Sequence, residues 1–344
     1  MLRLTIIVIG FFIYSASFLG TSQKAYPEKL SDWGIYEGKL SLMKPKPGII
    51  PYDLNTPLFS DYAEKLRFIR MPAGTSVQYS PKGVPDFPEG TLLIKNFYFS
   101  ADQRRPGKNK NIIETRLLEK KSGEWKALVY TWNEAQTEAF LEIAGDEHEV
   151  RFIDDKGNKQ QVRYLVPNLN QCKGCHNTKD KLLPIGPTVS QLNRNYTYAS
   201  GRKNQLEYWK QSGMIRNLPG RSAIPRTAVW NDPATGDLNA RARAYLAINC
   251  AHCHSREGPA QTSGLYLGED EQDSTAIGIN KSPVAAGKGS GGRMVDILPG
   301  DANASITWYR MQTHESGERM PELGRTSVHK EGVALIQDWI NKMK

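Results

Sequence analysis

The chain is poor in the residues that staple a small protein or grip nucleic acid. Of its 344 residues only four are Cys and six are His, too few for a disulfide framework. Lys and Arg number 45 against 36 Asp and Glu, a net charge of +9. These charges are scattered, without the basic blocks of a nucleic-acid arm, and the excess favours acidic protein partners by steering alone. Only one stretch approaches the length and apolarity of a membrane span, which excludes a multi-pass protein. Hydrophobic residues reach 39%, enough for packed cores, so wholesale disorder is excluded as well. Nucleotide loops are missing too. Gly287-x-Gly289-x-x-Gly292 follows no strand and opens no helix, and Ser282 stands where a phosphate-binding loop needs its first Gly.

What is present begins with an address. Met1-Leu2-Arg3 precedes an uncharged apolar run, Leu4 to Gly20, and residues 1–22 read as an export signal or a retained anchor. Membrane contact is expected only if that segment is kept. From 26 to 166 the pattern is β. Thr91 to Phe99 predicts a strand, and Ile112 to Leu118 leads into Ala127 to Trp132 across Lys121-Ser122-Gly123. Glu149 to Ile153 and Gln161 to Val166 pair across Asp155-Lys156-Gly157-Asn158. Trp125, Tyr130 and Trp132 read as core, and His148 as surface. After Pro167 helical signals take over: Gly201 to Gly213, Asp237 to Asn249 with Asp237 as N-cap, and Lys330 to Lys344.

All four cysteines fall in two copies of one pattern, Cys172-Lys173-Gly174-Cys175-His176 and Cys250-Ala251-His252-Cys253-His254. C-x-x-C-H is the attachment signature of c-type haem. Two thiols three positions apart meet the two vinyl groups, and the next His supplies the proximal nitrogen to iron. A zinc site from both pairs gives neither His a role, and vicinal pairs staple almost nothing as disulfides. The reading is therefore two covalently attached haem c groups, with Cys172, Cys175, Cys250 and Cys253 as attachment points and His176 and His254 as axial ligands. His252, between its two cysteines, reads as a surface residue.

The second unit resembles the class I cytochrome c fold: a helix runs into Cys250, and a helix carrying Leu335 and Trp339 closes the chain. That resemblance implies a distal Met before the last helix. Met320, in Gly317-Glu318-Arg319-Met320-Pro321, lies in the right kind of loop, whereas Met294 comes early and Met311 reads as packing. The chain after the signal also resembles a family of bacterial dihaem c-type cytochromes of poorly defined role. The resemblance rests on Leu54 to Tyr62 (LNTPLFSDY), Val166 to Cys172, Arg241 to Leu246, Asn249 to His254 and Gly258 to Leu265. It implies a β domain joined to two haem sites.

The expected fold is thus α+β and multidomain. An antiparallel β-sandwich-like domain (26–166) is followed by mostly α, cytochrome c-like haem units at 167–236 and 237–344. The expected function is single-electron transfer between periplasmic or membrane redox partners. The alternative is a dihaem peroxidase-like enzyme or other oxidoreductase with an open site at the first haem, although the 78 positions from Cys172 to Cys250 are short for the known peroxidases. A third reading makes the β domain a binding module. At the first haem no helix is expected before Cys172, and no Met lies between His176 and the helix at 204–211. Met214 is the nearest candidate sixth ligand, with His148, Met71, His314 and Met294 further afield, or none.

Overall fold

The computed structural model describes residues 26–344, so the expected export segment lies outside the described residues. Within them, no helix is long and apolar enough to cross a membrane. The frame is an antiparallel sheet. Strands β1 (Ile49–Tyr52), β2 (Glu64–Arg70), β3 (Val77–Gln78), β4 (Leu92–Ser100), β5 (Lys110–Lys121), β6 (Glu124–Trp132) and β7 (Ala139–Glu142) come first in the chain. Six of them pair in the order β1-β2-β4-β5-β6-β7, and β3 pairs instead with Ile215–Arg216. The β5–β6 turn places Ser122 and Gly123 at φ 56° and 77°, the left-handed pair that matches strand twist in a two-residue hairpin. A second hairpin, β8 (Asp146–Ile153) with β9 (Lys159–Val166), stands apart from the sheet.

Alternation along the strands separates two faces. Phe68, Ile94, Leu117 and Leu128 are cross-strand partners in one row. They pack against Leu30, Ile35, Tyr36 and Met43 of the N-terminal segment. On the opposite face, Phe97, Phe99 and Val129 meet Val150, Phe152 and Tyr164 of the β8–β9 hairpin, while Ile69 and Leu93 meet Val189, Leu206 and Trp209. Between these two apolar patches the same face carries a row of cations, Arg67, Lys95 and Arg116.

The remaining chain contributes α1 (Leu169–Cys175), α2 (Val189–Leu192), α3 (Gln205–Gln211), α4 (Leu238–Cys250), α5 (Ser274–Ile277), α6 (Ile306–Gln312) and α7 (Lys330–Asn341). Asp237 caps α4 through Ala240 N at 2.7 Å. Helices α4 and α7 cross where Gly332 lies against the Tyr245 ring. A strap at 54–62 ties the parts together. Thr56 Oγ1 donates to Ala228 O (2.6 Å), Phe59 N to Asn249 Oδ1 (2.9 Å), and buried Asp61 accepts from Thr326 N and Ser327 N (2.8 and 2.7 Å).

The expected fold class is corrected on two points. The N-terminal part is one large sheet with a separate hairpin on it, not a sandwich of two sheets. The second part is not a mostly α cytochrome c-like region, because among the described residues only α4 and α7 exceed seven residues, at 13 and 12. Prolines and left-handed positions cut the rest short. Pro184 and Pro187 flank Gly186 at φ 104°, and Gly213, Gly264 and Gly278 all have positive φ.

Candidate functional site

The first motif sits on a short helix, where none was expected. Asn168 and Gln171 form a reciprocal capping box at its start, which satisfies two orphan N–H groups and nucleates seven residues after a Pro. The helix ends as His176 N donates to Cys172 O at 2.9 Å. The second motif runs off the end of α4, and His254 N likewise donates to Cys250 O at 2.9 Å. Both motifs thus make the same backbone turn, with all four thiols free of disulfides.

Each His has a fixed tautomer. His176 Nδ1 lies 2.7 Å from Leu183 O. A carbonyl only accepts, so Nδ1 carries the proton and Nε2 keeps its lone pair. His254 Nδ1 lies 3.1 Å from Ser263 Oγ, and that hydroxyl already donates to Ala260 O at 2.7 Å. Ser263 therefore accepts from Nδ1–H, and Nε2 is again the free nitrogen. Burial holds both rings neutral, His176 down to about 3 and His254 to about 4. Burial also pushes the Cys250 and Cys253 thiols up to about 12 and raises Cys172 and Cys175.

Two cavities open onto these motifs. One, of about 250 Å³, is lined by Cys172, Cys175 and His176 on one side and by the sheet cations on another. The other, of about 430 Å³, is lined by Cys250, Cys253 and His254. They share a wall that includes Cys175, Asn249, His252, Met311 and Met320. Cys253 Sγ lies 3.9 Å from Gly174 O, so the motifs are in direct contact.

Met320 lines both cavities, and so does Met311, which is therefore more than the packing residue expected. Met214 is elsewhere. It is buried in the core with Val77, Leu206 and Trp209 and lines neither cavity. Met294 is 79% exposed, His148 pairs with Asp146 at 3.1 Å, and His314 is exposed.

Three features escaped the sequence. His252 is not a surface residue: it lines both cavities, its Nδ1 is buried without a partner, and burial holds it down to about 4. His329 lines the first cavity, stacked on Phe59 at 4.2 Å with its Nδ1 2.9 Å from Tyr245 OH. Only its place among six histidines could have marked it. The cations Arg67, Lys95 and Arg116 sit in strands whose polar positions look solvent-facing until the sheet is covered on both sides. Burial, then Arg67, Arg116 and Lys65, holds the Lys95 ammonium well below the ordinary lysine range.

In comparisons with family models, curated proteins and solved structures, nothing matches this chain. Among the described residues no three His, Cys, Asp or Glu side chains gather to hold a metal ion. The expected membership in a dihaem cytochrome family is therefore corrected: the short blocks that suggested it do not extend to a family match. The chemistry of each C-x-x-C-H turn rests on its own geometry.

Proposed function

We propose that the chain carries one covalently attached haem at each C-x-x-C-H turn and relays single electrons between redox partners. The observation that carries this reading is the shared wall: two cavities, each holding two free thiols and an imidazole with Nε2 available, back to back through the motifs themselves. Each thiol S–H would add across a vinyl C=C, the sulfur bonding one carbon and the hydrogen going to the other, with no oxidant needed. Bound haem supplies a one-electron iron couple whose potential depends on axial ligand, hydrogen bonding and burial. Leu183 O and Ser263 Oγ would orient the two imidazoles and raise their basicity. Met320, which lines both cavities, would be the distal ligand at the second site. Leu58 and Phe59 of the strap and Val333 of α7 line the first cavity. An acidic partner suits the net charge of +9, and a surface concavity with Arg194, Arg202, Arg221 and Arg226 offers it a place.

The test is haem stoichiometry in protein matured with haem-attachment machinery. Intact mass and a pyridine haemochrome assay should give two haems. The pair Cys172→Ser with Cys175→Ser should lose one, and Cys250→Ser with Cys253→Ser the other. A wild-type chain without covalent haem refutes the reading.

A further inference from the structure

We propose that Arg67, Lys95 and Arg116 form the cradle that receives the two propionate carboxylates of the haem at the first motif, an assignment that rests on the function proposed above. Arg67 is the register partner of Lys95, and Lys95 of Arg116, so the three side chains leave one sheet face as neighbours. Like charges set opposite one another in adjacent strands destabilise a sheet, and such a row persists where counter-charge is supplied.

The protein supplies too little. Arg116 is held by Glu114 (Nε to Oε2 2.8 Å, Nη2 to Oε1 2.5 Å). Arg67 Nη1 reaches Asp53 at 2.7 Å, but Asp53 also serves Arg194 at 3.0 Å. Lys95 has no ion-pair or hydrogen-bond partner among the described residues, and its Nζ lies 4.7 Å over the Phe97 ring. Arg67 is only 5% exposed, yet its Nη2 has no partner. A buried guanidinium nitrogen left open and an unpaired ammonium face one cavity, and that cavity also presents Cys172, Cys175 and His176. Two carboxylates close this balance, and charge-assisted hydrogen bonds to planar Arg donors suit them. Haem brings two carboxylates of its own. Sheet and motif would then grip opposite parts of the same ring.

The experiment uses the two-haem protein, with the second haem as internal control. In Lys95→Met, resonance Raman should show a shifted propionate bending band for one haem, and that haem's midpoint potential should fall as ferrous iron loses a nearby cation. Lys95→Arg, which keeps the charge, should restore the wild-type potential, and exposed Lys108→Met should leave both haems unmoved. If Lys95→Met does not fold, Lys95→Gln is read in the same way. Two bound haems with unchanged band and potential in the neutral variant overturn the cradle and leave the haem reading standing. Absence of haem from the wild type overturns both. A saturable shift of the wild-type potential on adding acetate or inorganic phosphate would reassign the cations to a soluble anion and overturn the proposal.

Discussion

The crossing of α4 and α7 makes a prediction whose sign is opposite to what helix propensity alone gives. Gly332 is the third residue of α7, and a Cβ placed there would lie 2.3 Å from Tyr245 Oη, 2.4 Å from Cζ and 2.6 Å from Cε2. Three side-chain atoms, two of them in the ring, would have to move. Tyr245 cannot yield freely, since it is 5% exposed, sits against Trp230 and contacts His329 Nδ1 at 2.9 Å. Propensity favours Ala over Gly in a helix by about 1 kcal/mol. Overpacking a filled core costs about 1–3 kcal/mol, and displacing the tyrosine hydroxyl from His329 costs about 1 kcal/mol more. The expected net effect of Gly332→Ala is therefore a loss of about 1–3 kcal/mol. Urea unfolding of the haem-loaded protein measures it through the midpoint at constant slope. The double variant with Tyr245→Ala should be less destabilised than the sum of the singles, because the clash is shared. A Gly332→Ala protein as stable as wild type, or about 1 kcal/mol more stable, refutes the close crossing.

Other outcomes follow from the same geometry. Met214→Ala should cost about 2–4 kcal/mol as a core cavity while leaving the optical spectrum of both haems unchanged; a spectral change would return Met214 to the iron. Ser263→Ala removes the acceptor of His254 Nδ1–H, so the imidazole becomes a poorer donor and the second haem's potential should rise, by on the order of 40 mV if about 1 kcal/mol is lost. An unchanged redox titration would count against the tautomer assignment. Burial holds His329 down to about 4, against 6.5 for a free histidine. The unfolded chain therefore binds the extra proton between pH 6.5 and 4, and stability should fall with pH across that window, by about 3 kcal/mol in all. His252, also held down to about 4, adds to the same slope, so His329→Gln should reduce it without abolishing it; an undiminished slope means His329 does not contribute.

The local elements were legible because their signals are local. The β4 run, the Ser122-Gly123 turn and the Asp237 cap each specify a few bonds within about ten residues; α4 begins at its cap, and α7 begins at Lys330, where the periodicity puts it. The two C-x-x-C-H repeats were visible in sequence, and the structure gives both the same backbone turn. What failed depended on distant partners. Helical units were expected after Pro167, but periodicity there is short and the chain is held instead by bonds such as Phe59 to Asn249 and Asp61 to Ser327, which no window of sequence contains. His252 looked external because neighbours in a turn point apart, yet the cavity behind it belongs to another part of the chain. Arg67, Lys95 and Arg116 looked like the solvent face of strands, since nothing in those strands says that α1 and the β8–β9 hairpin will cover them.

If the proposed haems are attached, burial of the thiols sets an order of events. At pH 7 a thiol pushed up to about 12 is almost wholly protonated, and only the thiolate is an effective nucleophile. Cys172 is buried against the β8–β9 hairpin, and Cys250 lines a cavity together with Phe59 of the strap and Val333 of α7. On the proposed function the chain would receive its haems while still open, and the sheet, the strap and α7 would then fold around them. On this account the sequence encodes two tasks in succession, presenting bare thiols to a maturation system and sealing them away once they are used. A variant that folds too early would be a stable, colourless protein.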